Sequence, residues 1–194
     1  MKVYLLDRNK RISDIWKIYF RDEQDVEVVC CGFEKFMENY NVECIVSPAN
    51  SYGIMDGGYD LAITEYFGEE LMKKVQKYII RNYYGEQPVG TSFIIETGVK
   101  NIKLIHTPTM RIPAKIKEPM VVYQAMRTTL MTALENNIKS IVIPAFGGCC
   151  GDMNPQEICE LMYEGYRQIM NPPEKLSWDY ATRWEPEISE KWKY

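Results

Sequence analysis

Histidine is nearly absent: the chain of 194 residues holds one, His106. Its six cysteines include no CxxC pair, so a zinc centre has no support in the sequence. A basic surplus is missing too. Lys and Arg total 23 against 27 Asp and Glu, a formal charge of −4, which argues against a general nucleic-acid or membrane-surface binder. Long apolar runs are lacking, and the longest fall well short of a membrane span. The opening MKVYLLDRNKR has too short an apolar run for a secretory signal. Adjacent cysteines rarely bridge each other, so Cys30-Cys31 and Cys149-Cys150 read as reduced thiols in a cytoplasmic protein. An anionic ligand would therefore rest on backbone N–H groups and a few local cations.

What is present suits one domain with a substantial core, with 46% hydrophobic and 26% charged residues. The chain is organised around ECIVSPANSYGIMDGGYDLAITEYFG, residues 43–68. Cys44, Ile45 and Val46 form a short buried-strand run, and Ser47-Pro48-Ala49-Asn50 breaks it. Gly57 and Gly58 allow close backbone approach to a ligand, and a helix pattern starts at Tyr59. Strand, glycine turn and helix N-terminus form a phosphate cradle, because open N–H groups and the helix dipole face the anion. Any strand–helix turn can hold two glycines, so this stretch alone does not decide. A second one follows: Ser140 to Pro144 is another apolar run, feeding Ala145-Phe146-Gly147-Gly148-Cys149-Cys150-Gly151 before a helix from Pro155. Two such loops beyond the carboxyl ends of strands would clasp a diphosphate from both sides.

Other elements follow from periodicity. Strands are expected at 2–6, 26–31, 91–96 and 103–107. Helices are expected at 12–21, at 61–83 with a break near Gly68, at 120–136 and at 155–170. Phe33 to Phe36 are placed near the ligand mouth, with burial over the sheet as the plainer alternative. Alternating strands and helices predict a mixed sheet covered on both faces. Pro172-Pro173 closes the domain, giving a domain over 1–170 and an aromatic tail over 171–194. Three of the four Trp residues, Trp178, Trp184 and Trp192, lie in that tail, so it is expected to pack on the domain or on a partner.

The paired loops resemble those of the macrodomains, which bind ADP-ribose. The first loop of that family has the form V-N-x-A-N, then a glycine run, an Asp and a helix. Here Val46-Ser47-Pro48-Ala49-Asn50 leads to Gly57-Gly58-Tyr59-Asp60, and the spacing from Asn50 to Asp60 matches the ADP-ribosyl-hydrolysing branch. The second loop, and the stretch from Gly90 to Pro113, are similar to bacterial and phage macrodomains of the Appr-1-p processing kind. The resemblance covers roughly residues 25 to 170. It implies a three-layer α/β/α fold with a mixed, mostly parallel central sheet. It also implies a ligand site built from Glu34, Ser47, Ala49, Asn50, Gly57, Gly58, Tyr59, Asp60, Phe146, Gly147, Gly148, Cys149, Cys150 and Gly151. Departures are visible. Ser47 stands where Asn is usual, Gly148 and Cys149 stand where Thr and Gly are usual, and Gly32 is followed by Phe33 and Glu34 rather than by an adenine-binding Asp.

The resemblance assigns Asp60 to the alignment of a water at the distal ribose and Asn50 to the ribose itself. From the residues alone, Asp60 reads first as a first-turn Asp stabilised by a helix dipole, and Asn50 can be an Asn holding its own turn. Asp56 reads as a solvated turn residue. Cys149 and Cys150 read as small residues fitting a tight loop, and His106 as a buried histidine. Arg111 is either a phosphate contact or an ordinary surface residue. The implied ligand is ADP-ribose or a related nucleotide diphosphate, with an ADP-ribosylated protein as a further partner. The implied activity is hydrolysis of an ADP-ribose derivative: ADP-ribosyl-protein, O-acetyl-ADP-ribose or ADP-ribose 1''-phosphate. Neither metal nor cofactor is required. The rivals are a reader or sequestering module without turnover, and a structural protein that retains the fold.

Overall fold

The computed structural model describes residues 1–183, so the expectations for Trp184 and Trp192 lie outside the described residues. Strand β1 (Lys2–Leu6) leads to helix α1 (Lys10–Tyr19), where the Asn9 side chain accepts a hydrogen bond from the Arg11 N–H and caps the helix. Strand β2 (Val26–Val29), helix α2 (Phe33–Asn39) and strand β3 (Cys44–Ser47) follow. Helices α3 (Gly58–Phe67) and α4 (Glu69–Tyr83) are separated at Gly68, whose φ of 88° a side chain would resist. Strands β4 (Phe93–Glu96) and β5 (Lys103–His106) precede helix α5 (Met120–Glu135), strand β6 (Ser140–Pro144) and helix α6 (Pro155–Met170). Asn154 caps α6 by accepting from the Gln156 N–H, and Pro155 occupies its first turn, where no N–H is needed.

The six strands form one sheet in the order β2-β1-β6-β3-β5-β4, parallel except for β4, which runs antiparallel to β5. Both faces are apolar, which is what a parallel sheet covered on both sides requires. Side chains alternate across it. Val3, Leu5, Val46, Ile141 and Ile143 join one core with α1, α5 and α6. Leu6, Ile45, Leu104 and Val142 join the other with α2, α3 and α4. The architecture is thus the expected three-layer α/β/α fold with a mixed, mostly parallel sheet. Helices α5 and α6 meet backbone to backbone: a Cβ on Gly165 would lie 2.8 Å from the Tyr123 carbonyl oxygen.

Two segments take a definite form that the sequence left open. The residues placed near a ligand mouth form helix α2, with Phe33, Phe36 and Met37 buried against the sheet. Their i, i+3, i+4 spacing is that of an amphipathic helix, and the plainer alternative holds. In the tail, where no period is evident, a short helix α7 (Trp178–Ala181) is capped by Ser177. After it, Thr182 is buried, and Arg183 donates to the Tyr123 hydroxyl at 2.8 Å and to Gln168.

Candidate ligand site at the ends of strands β3 and β6

β3 and β6 are sheet neighbours with Cys44 opposite Ile141, so the loops that leave their carboxyl ends start side by side. The first loop is shaped by Asn50. Its Oδ1 accepts from the Tyr52 and Ile54 N–H groups, at 3.1 and 3.3 Å, and its Nδ2 donates to the Ile54 carbonyl at 2.8 Å. Asn50 therefore holds its own turn, with one amide hydrogen left over. The turn is tied to the segment after β5: the Ser51 N–H reaches the Met110 and Arg111 carbonyls, and Asn50 bridges to Met110. Arg111 does not reach a loop as an open cation. It pairs with Glu86 through Nε at 2.7 Å and through a second guanidinium nitrogen at 3.0 Å, and it lies over the ring of Tyr52. The Tyr52 hydroxyl also donates to Glu86, at 2.7 Å.

Gly57 begins α3 without a capping side chain, which leaves the first N–H groups of the helix open. Across from it, the second loop turns at Gly147, with φ of 81°, and exposes Gly148, Cys149 and Cys150. Among the described residues, the Cys149 and Cys150 N–H groups donate to no backbone carbonyl. The base of this loop is tight: a Cβ on Gly151 would lie 2.7 Å from the Gly147 oxygen and 2.8 Å from the tip of Ile116. The two loops approach each other closely: a Cβ added at Gly58 would lie 3.8 Å from the Cys149 sulfur. Phe146 is fully buried beneath the second loop, and Ala49 is buried beneath the first. Glu34 is exposed in the first turn of α2, and Asp56 is exposed in the first loop.

Asp60 is buried behind these loops and takes a hydrogen bond from the Ser47 hydroxyl at 2.6 Å. Desolvation pushes its carboxyl up to about 7, against the lowering effect of that hydrogen bond. The Tyr59 hydroxyl is buried without a partner among the described residues and faces the charges of Asp60 and Asp7. Burial, then Cys149, raises the Cys150 thiol, with Asp60 adding to the effect. His106 lies at the end of β5, opposite Ser47 in the sheet register. Its Nδ1 meets Gln87 Oε1 at 2.6 Å, its Nε2 has no partner among the described residues, and burial lowers its pKa to about 3.

Three features leave no trace in the sequence. One is the Ser47–Asp60 contact. Another is Ile116 packed under the second loop. The third is a groove of about 260 Å³ beside it, beyond the end of β5, lined in part by Val89, Met110, Ile112, Ile116 and Val121. Each joins residues from separate segments, and no local pattern reports such a meeting.

The Macro domain family profile matches residues 46–162, which spans both loops and the helices they enter. The chain belongs to the Macro domain family. Curated relatives include a protein of Aquifex aeolicus, 32% identical over 66% of this chain and 75% of its own length. An O-acetyl-ADP-ribose deacetylase of Escherichia fergusonii is 36% identical over 54% of this chain and 59% of the enzyme. Among solved structures, the Oceanobacillus iheyensis macrodomain with ADP aligns at a TM-score of 0.60 and 20% identity, covering 77% of this chain and 86% of that one. This last likeness bears on the fold. Among the described residues of this macrodomain, no group of three or more His, Cys, Asp or Glu is placed to hold a metal ion. None of its helices there is long and apolar enough to cross a membrane.

Proposed function

We propose that this macrodomain binds ADP-ribose or a related nucleotide diphosphate across the two glycine loops and hydrolyses ADP-ribose derivatives, with Asp60 as general base. The observation that carries the reading is the close approach of the two loops, where a Cβ added at Gly58 would reach the Cys149 sulfur at 3.8 Å, with the buried Asp60 carboxylate near enough to act on Cys150. The deacetylase relative and the ADP-bound homologue support the ligand class. The diphosphate would lie over the open N–H groups of Cys149, Cys150 and the first turn of α3, where backbone dipoles replace the missing cations. The spare amide hydrogen of Asn50 would meet the distal ribose.

Asp60 accepts one hydrogen bond, on Oδ1. Its other oxygen would take a proton from a water as that water attacks the ester or glycosidic carbon. The bond to the leaving group then breaks, and the proton passes to the departing oxygen. A carboxyl near 7 is well matched to general-base work at neutral pH. Binding without turnover is the second reading, favoured by the burial of Asp60, which is 9% exposed.

Calorimetric titration with ADP-ribose and AMP, followed by a turnover assay on O-acetyl-ADP-ribose and ADP-ribosylated protein, tests the proposal. ADP-ribose is expected to bind more tightly than AMP, because only it engages both loops. Equal affinities, or none, would overturn the paired-loop site. Asp60→Ala is expected to slow turnover by about 10²-fold or more while ADP-ribose affinity falls far less. Full turnover in that variant would remove Asp60 from the chemistry, and no turnover in the native protein would leave the binding module.

A further inference from the structure

We infer that Ser47 is the positioning residue of this site: its hydroxyl holds one oxygen of the Asp60 carboxylate and leaves the other to receive the proton of the attacking water. The inference rests on the reading of Asp60 as general base.

Ser47 is the last residue of β3 and Asp60 the third of α3, so the 2.6 Å hydrogen bond fixes the helix start to the strand end. Both side chains are buried, and the Ser47 hydroxyl has no exposure to trade for a water contact. Among the described residues it is the one hydrogen-bond donor to Asp60, and no cation acts on that carboxylate. The titratable groups that face Asp60 are Tyr59 on its own helix and Cys150 on the loop after β6. Neither supplies a positive charge. A carboxylate in such a place is held by its one donor or is free to turn about its last torsion. With Oδ1 committed, a single oxygen keeps its lone pairs for water. The same bond favours the ionised form that a base needs. A β-strand end also sets the hydroxyl rigidly, which a loop residue would not do.

The test is the carboxyl titration of Asp60, followed by ¹³C NMR on protein labelled at aspartate and assigned with Asp60→Asn. Ser47→Ala is expected to raise the Asp60 midpoint by about one pH unit, and to move the acid limb of the pH–rate profile upward by the same amount. Ser47→Thr, which keeps the hydroxyl, is expected to leave both where they are. A midpoint unmoved in Ser47→Ala would overturn the inference, since a residue that merely packs would lower the melting temperature and leave the titration alone. If Ser47→Ala does not fold, Ser47→Thr decides: a native midpoint supports the role and a shifted one overturns it. Because the NMR titration needs no substrate, absence of turnover would sink the hydrolase reading while the Ser47 titration still reports on its own.

Discussion

Asp60 and His106 lie on two sides of Ser47, which stands opposite His106 in the sheet register. Burial disfavours the charged form of each, and their effects on stability have opposite sign. The Asp60 carboxyl is raised from 3.8 to about 7. Between those values the folded protein holds a proton that the unfolded chain has released, so stability falls as pH rises through that window. His106 is lowered from 6.5 to about 3. There the unfolded chain takes up the proton first, and its contribution is lost as pH falls through 6.5 toward 3. Asp60→Asn keeps an acceptor for Ser47 and removes the ionisation. It is expected to melt a few degrees above the native protein at pH 8, with the gain shrinking toward pH 4. Melting curves across that range check it, and a constant difference at every pH would mean that the Asp60 carboxyl titrates where an exposed one does. Its position in the first helical turn was plain in the sequence. Its burial was not, because that depends on how α3 sits against β3, and the two residues are thirteen apart.

Each loop takes its shape from a strand end, a helix start and one outside brace. Ile116 braces the second, and the Tyr52–Glu86–Arg111 cluster braces the first. Glycines in the second loop consequently differ in what they tolerate. A Cβ on Gly148 would lie 3.2 Å from the Ala145 Cβ and 3.4 Å from Ile12, tight but accessible, and its backbone has no positive φ. Gly148→Glu is expected to fold and to lose ADP-ribose binding, since it sets a negative charge in the anion cradle, a penalty of about 1–3 kcal/mol or more. Gly151→Ala, which would collide with the Gly147 oxygen, is expected to lower the melting temperature as well. Calorimetry and thermal melts on the pair separate the two effects, and undiminished affinity in Gly148→Glu would move the site elsewhere. Strands and long helices were legible because each carries its own period, as in the buried run from Cys44 to Val46, which the structure extends by Ser47, and the inner face of α6 at Ile158, Met162 and Tyr166. Helix α2 was harder to place although its spacing is present, because two aromatic residues beside a strand end suit a core first but also a ligand mouth. The braces were illegible for a different reason: Glu86 lies 34 residues from Tyr52 and 25 from Arg111, and side chains that distant in sequence meet through packing alone.

At the scale of the whole molecule, the described part of the tail adds a turn of helix and the Arg183 contacts to Tyr123 and Gln168. Ending the chain at Met170 is expected to lower the melting temperature by a few degrees and to leave ADP-ribose affinity unchanged, because these contacts fall on α5 and α6 rather than on the two loops. A shortened protein that melts with the native one would show that the tail adds nothing to the fold, and one that no longer binds would place the tail at the ligand. A larger dependence lies in the order of the strands. Among the described residues β6 is the last strand to be synthesised, yet it sits between β1 and β3 and pairs with both. Until residue 144 is free of the ribosome, β1 and β3 each present an open edge and the second loop does not exist. Contacts spanning so much of the chain make for slow closure and for sticky partial products. A nascent or prematurely terminated chain is therefore expected to be a client for chaperones or proteases and to have no nucleotide affinity of its own. Truncated products of this gene would then deplete the protein without ever competing with it for ligand.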